Sequence, residues 1–232
     1  MNFKKSKKTF LLLFILIFPS AFYVYLTAGK EKSFVRLPYF GPKHPFVVTA
    51  DGKQKKDTVF YSVADFNFKN QNGNTITAHS LHSRIWVCCF EDLKDKNVSP
   101  SQAILMNRIE SRTDLDTTLR LLTFALDSES TQNLAAYATM VHAGKRQYFL
   151  SADSGKMKQF AIDAFYNPVD TSCKNGFIHF FLVDREGCIR GIYNGMHVKD
   201  IDELIDNISM LEAAYYVKEN REKGKKDDDV AM

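Results

Sequence analysis

The chain has 232 residues, 45% of them hydrophobic and 25% charged, with a formal net charge of +4. That length and apolar content can hold one sizeable core, and so modest a charge, with its Lys clusters at the two ends, argues against a nucleic-acid groove. Four cysteines in a chain of this size suggest neither a disulfide scaffold nor a zinc site, and no Cys-x-x-Cys pair occurs.

Residues 1–9 are basic, with Lys4, Lys5, Lys7 and Lys8. Residues 10–26 are almost wholly apolar, broken only by Pro19 and Ser20. As a helix they would span about 26 Å, against a hydrocarbon core of about 30 Å. Tyr23 and Tyr25 suit the interface and Lys30 can snorkel. The pattern predicts one transmembrane anchor with its N-terminus inside and an exported body. A cleaved signal peptide is the competing reading, with Thr27-Ala28-Gly29 as the cleavage site; no cysteine lies near it to carry a lipid. Residues 27–57 hold Pro38, Pro42 and Pro45 and read as a linker arm.

The folded domain is expected over residues 58–220. Residues 60–77 read as a hairpin: Phe66 and Phe68 alternate with polar neighbours, and the run from Asn70 to Asn74 is a turn cluster. Residues 85–90 form a short apolar run, read as a fully buried strand. Cys88 and Cys89 are adjacent on it and so point to opposite faces. Ser99-Pro100-Ser101-Gln102 then reads as a helix start, with Ser99 at the N-cap and Pro100 at the first helical position. A second buried strand is expected over 118–126 and an amphipathic helix over 131–142, closed by Gly144. A short apolar piece follows at 148–150, then a helix capped by Ser154. Residues 177–183 and 188–193 form a hairpin around Asp184-Arg185-Glu186-Gly187. A last helix runs from Asp200 to about Glu219, and residues 221–232 read as a charged disordered tail.

Several of these segments resemble, in order, the SCO/SenC family of thioredoxin-fold copper chaperones and thiol-disulfide proteins. They are LPYFG at 37–41, DFNFKNQNGNTIT at 65–77, the strand, loop and Pro-opened helix at 85–100, the turn Asp127-Ser128-Glu129, FIH at 177–179, and FLVDREGCIRGIYNG at 181–195. The resemblance implies an α/β, thioredoxin-like fold with an added N-terminal hairpin. It also implies a link to copper handling and cytochrome c oxidase assembly, with an oxidase subunit or a cysteine-bearing SCO-like protein as partner. The location implied is the outer face of a bacterial cytoplasmic membrane.

The family motif is Cys-x-x-x-Cys-Pro. Laid without gaps on this chain, its proline falls on Pro100, its second cysteine on Ser99 and its first on Asp95. Two thiolates and a histidine hold copper in the family. A carboxylate and a hydroxyl replace neither thiolate, because soft sulfur ligands suit Cu(I) and thiol-disulfide exchange needs thiols. His179 falls where the family keeps its metal histidine and is the candidate metal ligand. Only Phe180 and Phe181 separate it from Leu182, so this loop is about three residues shorter than the family's, an odd number that turns a strand residue to the other face.

The expectation is therefore a SCO-like protein with neither cofactor nor thiol-redox activity of its own. One alternative is an active copper or thiol protein using relocated ligands, Cys173 and His179; the other is an interaction module unconnected with respiration. A Cys173–Cys188 disulfide is conceivable, and His79 and His82 form a weak His-x-x-His metal signal. No nucleophile-base pair or phosphate loop points to another enzyme class.

Overall fold

Strand propensity and alternation place the central elements, and a computed structural model describes residues 14, 17, 18, 22, 37–50, 53–94, 99–113, 118–165 and 179–230. In chain order the elements of the body are β1 (Lys43–Ala50), β2 (Lys53–Phe60), β3 (Asn67–Asn70), β4 (Thr75–Thr77), α1 (Ala78–Leu81), β5 (Trp86–Glu91), α2 (Ser99–Arg112), β6 (Arg120–Ala125), α3 (Thr131–Met140), β7 (Gln147–Ser151), α4 (Ser154–Phe165), β8 (His179–Val183), β9 (Ile189–Asn194) and α5 (Val198–Val230). From β5 onward this is the β-α-β-α-β-α-β-β-α order expected of a thioredoxin-like core.

Seven strands form one sheet in the order β4-β3-β7-β6-β5-β8-β9. β5 and β6 are parallel neighbours, with Cys88 opposite Leu122 and Cys89 opposite Thr123. The crossover between them runs through α2, as the buried apolar run demanded. β8 returns antiparallel on the other side of β5, placing Phe181 opposite Cys88 and Phe180 opposite Cys89.

The two adjacent cysteines separate two cores. Cys88 packs with Trp86, Phe90, Phe124 and Phe181 on the face covered by α4. Cys89 packs with Val87, Phe180 and Leu182 on the face covered by α2 and α5, through Met106, Ile109, Ile201 and Leu204. α3 covers a smaller patch on that second face, where Leu134 and Tyr137 meet Ala125 and Phe149. On the first face Phe124 is a hub, with Phe66, Phe68, Phe90 and Phe160 at ring-centroid distances of 5.0–6.0 Å.

The turn at residues 70–74 forms as its composition requires. Asn70 Oδ1 accepts from the backbone N–H of Asn72 and of Asn74, each at 2.9 Å. Gly73 supplies the left-handed residue with φ 78°.

Several expectations are corrected. The arm was expected to be irregular, yet residues 43–50 and 53–60 form β1 and β2, a two-stranded antiparallel sheet of their own with Ala50 opposite Lys53. Asp51-Gly52 between them is a hairpin signal that the prolines obscured; Pro45 is tolerated because neither strand has a second neighbour. The short helix α1 was missed, although Thr77 and Ser80 form a reciprocal capping box. α3 ends at Met140, and His142, not Gly144, takes the left-handed position with φ 53°. The Ala143 N–H then bonds to the Ala138 carbonyl at 2.9 Å and the His142 N–H to Thr139 at 3.2 Å. Asp153 rather than Ser154 caps α4, accepting from Gly155 and Lys156. α5 starts at Val198 and continues to Val230, through most of the segment read as a disordered tail. Arg221, Glu222 and three lysines in that segment favour helix, and a single Gly224 does not break it.

Of residues 10–26, only Phe14, Ile17, Phe18 and Phe22 are described; all four are helical and exposed. They belong to a separate unit, Met1–Arg36. Among the described residues no helix is long and apolar enough to cross a membrane, and most of the expected anchor lies outside them.

Candidate functional site

The motif edge of the sheet lies where β5 ends and α2 begins. The structure carries β5 one residue further than the apolar run, to Glu91, which is only 3% exposed. Residues alternate in facing along a strand, so Glu91 shares the face of Cys89, the one that α2 and α3 cover. Tyr137 of α3 donates its hydroxyl to Glu91 Oε1 at 3.2 Å. With its amide turned so that Nε2 faces the carboxylate, Gln102 of α2 donates to both oxygens, at 3.2 and 3.3 Å. The backbone carbonyl of Glu91 accepts from the Leu126 N–H at 2.8 Å. One buried carboxylate thus joins β5, α2 and α3. Sequence reading missed it because a glutamate after an apolar run reads as the end of the strand.

Helix α2 opens at Ser99, which places Ser99 at a helix start but inside the helix rather than at the N-cap. Pro100 follows, exposed, in the first turn, where its missing N–H costs nothing. Asp95 and Cys173 lie outside the described residues. On the loop side, Lys94 bridges Asp127 at 3.6 Å and Glu129 at 3.3 Å, so the Asp-Ser-Glu turn after β6 is tied to the residues after β5. A cleft of about 370 Å³ lies beside this pair, lined by Leu93, Tyr137 and Met140 among others.

His179 begins β8 opposite Asn194 of β9, at the same sheet edge. Two residues from Phe181, it shares that residue's face, and the two rings lie 6.2 Å apart. This is the α4 face, opposite to the one that α2 covers. Burial pulls the His179 imidazole below the ordinary histidine value. The folded state therefore favours the neutral ring. Stability from this group is present above about pH 6.5 and is lost as the pH falls through the lowered folded value. An NMR titration should place the His179 midpoint below 6.5, and His179→Gln should flatten the fall in stability between about pH 7.5 and 5. A midpoint at or above 6.5 would contradict the burial seen here.

The described cysteines are not poised for chemistry. Cys88, Cys89 and Cys188 are free and buried, so Cys188 is not in a disulfide. Burial pushes the Cys88 and Cys89 thiols well above their usual value; for Cys89 the Glu91 charge adds to this and the contact with Thr123 opposes it. Cys188 is pushed up to about 11, first by burial and then by Asp184 and Glu186. His79 and His82 line a different cleft of about 270 Å³, beside Trp86 at the start of β5.

The hairpin behind the edge holds a buried charge pair. Arg190 bonds to Asp184 at 2.9 Å, with their side chains 8% and 0% exposed. Its remaining donors reach the carbonyls of Leu37 (2.6 Å) and Pro38 (3.1 Å), and its guanidinium lies 3.9 Å from the centre of the Tyr39 ring. The Phe40 N–H bonds to the Ile189 carbonyl at 2.9 Å. The LPYF segment is therefore a strap held on the β8–β9 hairpin, and Asp184 Oδ1 orders the hairpin turn by accepting from Glu186 and Cys188.

Comparison with known proteins agrees with this arrangement. No family model matches the chain. The SCO1 protein homolog of Bacillus subtilis (strain 168) is 24% identical over 172 residues, which is 70% of this chain and 89% of that protein. The chain is similar to this SCO1 homolog in sequence and has a thioredoxin-like fold. A SCO1/SenC family lipoprotein from Bacillus anthracis str. Ames matches the fold with a TM-score of 0.58 at 21% identity, over 66% of this chain and 95% of its own. BsSco, described as a cytochrome c oxidase assembly protein with a disulfide switch, matches with a TM-score of 0.57 at 20% identity, over 66% and 94%.

The candidate ligand His179 sits on the sheet face opposite to the one that α2 covers. Among the described residues no group of three or more His, Cys, Asp or Glu is placed to hold a metal ion.

Proposed function

We propose that this chain is a SCO-like protein that serves copper handling and cytochrome c oxidase assembly through its surface rather than through copper or thiol chemistry of its own. In this reading residues 10–26 anchor it as a single pass in a bacterial cytoplasmic membrane, with the body on the extracytoplasmic side. Its partner is a respiratory oxidase subunit or a cysteine-bearing SCO-like protein. The observation that carries the reading is the motif itself: the strand, loop and Pro-opened helix are kept while both thiol positions are oxygen side chains. Hard oxygen donors bind Cu(I) poorly, and without paired thiols there is no dithiol-disulfide couple at the loop.

The test is a Cu(I) titration of the full chain against a competing chelator, with a thiol count. The expected affinity is orders of magnitude below that of a site with two thiolates and one imidazole. Tight stoichiometric binding abolished by Cys173→Ser would overturn the proposal in favour of relocated ligands. A mature N-terminus at or near Lys30, found by mass spectrometry, would remove the anchor.

A further inference from the structure

The cleft that His79 and His82 line lies at the start of β5, whereas the motif edge lies at its end. Its inner wall is core: Val63, Leu81 and Trp86 all belong to the apolar cluster on the α4 face. Its exposed wall carries Asp65, from the segment before β3, the two histidines at α1, and Glu186 from the β8–β9 turn. A volume of about 270 Å³ is at the lower end for a ligand site, where about 300–1,000 Å³ is usual. It suits a molecule of amino-acid size.

Three polar groups of this cleft have bonding capacity to spare. The Asp65 carboxylate makes no hydrogen bond or ion pair with any described residue, and no Lys or Arg lines the cleft. Glu186 accepts from the Tyr215 hydroxyl through Oε2, which leaves Oε1 open. Trp86 is the third. It is only 2% exposed and its ring packs edge-on to Phe66 and Phe165, yet its indole N–H has no hydrogen-bond partner among the described residues. A buried indole N–H ordinarily finds an acceptor, so this donor points to a ligand independently of the two acids. The acids call for a cation. Among the described residues no group of three or more His, Cys, Asp or Glu is placed to hold a metal ion, so an organic cation fits this cleft better than a metal.

We propose that the cleft binds a small primary ammonium compound with an acceptor oxygen close to its nitrogen. Asp65 and Glu186 hold the ammonium group, and the Trp86 indole N–H donates to the oxygen. Amino-acid amides and the free N-termini of peptides share this chemistry. The cleft is separate from the motif edge, so failure of either reading leaves the other standing.

The chain has one tryptophan, so selective ¹⁵N labelling of the full chain gives one indole N–H resonance, at the cleft itself. Titration with glycinamide should displace that resonance saturably, with a Kd on the order of 1–10 mM. Acetamide, which lacks the charge, and methylammonium, which lacks the acceptor, should each bind at least about ten-fold more weakly. Asp65→Asn should weaken glycinamide binding about three- to five-fold, and Asp65→Asn/Glu186→Gln about ten-fold or more. No saturable displacement, an equal response to acetamide, or variants within two-fold of the unmodified chain would overturn the proposal. Stoichiometric Zn(II) binding that is lost in His79→Ala would overturn it in favour of a metal. Triglycine amide separates the two sources: binding tighter than glycinamide assigns a peptide end, and weaker binding assigns a free amine. Should the double variant lose its dispersed spectrum, Asp65→Asn decides alone, since Asp65 is exposed and makes no contact that the fold relies on.

Discussion

Arg190→Ala is expected to lower the unfolding free energy by about 3–5 kcal/mol, the range for stripping one partner from a buried ion pair. The substitution leaves the Asp184 carboxylate, whose side chain is fully buried, facing no cation. It also leaves the Leu37 and Pro38 carbonyls without their donor and removes the cation from the Tyr39 ring. Urea unfolding followed by fluorescence measures it directly, because the chain has one tryptophan, Trp86, only 2% exposed. The deficit should depend on pH. Burial raises the Asp184 carboxyl above its ordinary value, while Arg190 and the Cys188 N–H oppose the rise. Without Arg190 the folded-state value climbs further. A raised acid favours the folded state at low pH and loses that contribution as the pH rises, so the deficit should be greatest near neutrality and shrink toward pH 5. A uniform loss below 1 kcal/mol would show that the strap is held by something other than this pair.

The second large effect concerns the motif. Asp95→Cys with Ser99→Cys should create a dithiol-disulfide couple at the loop, visible as two thiols lost on mild oxidation, and raise Cu(I) affinity by orders of magnitude through sulfur ligation alone. That gain should not depend on His179. The imidazole shares a face with Phe181, whereas α2 covers the other face, through Met106 and Ile109 packed on Val87 and Cys89. Adding His179→Ala to the restored chain should therefore change the Cu(I) affinity by less than about three-fold, well under the tenfold that 1.4 kcal/mol represents. A loss of ten-fold or more would mean that His179 reaches across the edge despite its register.

The sequence revealed its structure wherever a local pattern and the tertiary fold agree. Phe66 and Phe68 alternate into the core, Asn70 and Gly73 build their own turn, and the apolar run around Cys88 and Cys89 can only be a strand covered on both faces. Order along the chain then fixed the pairing of β5 with β6. What stayed hidden depends on partners distant in sequence. Glu91 looks like the first residue of a loop until Tyr137, 46 residues later, is brought onto it. Caps were named with the right chemistry at the wrong residue, because Asp153 and Ser154 are both good caps and packing decides between them. The arm resembles a linker because Pro38, Pro42 and Pro45 mask the hairpin signal of its Asp51-Gly52 pair. For the site, the absence of the two thiols was legible at once, while the face taken by His179 needed the register of β8 against β5.

The strap also constrains the order of events in folding. Arg190 grips the Leu37 carbonyl across a separation of 153 residues, and loop closure over such a span carries an entropic cost that only a nearly complete structure offsets. The strap residues emerge from the ribosome well before the β8–β9 hairpin and can dock only after that hairpin exists. During synthesis, Leu37 and Tyr39 therefore remain in solvent until almost the whole body has been made. This leaves a long interval in which an aromatic segment near the N-terminus is open to chaperones, and its burial becomes a late marker that folding has finished.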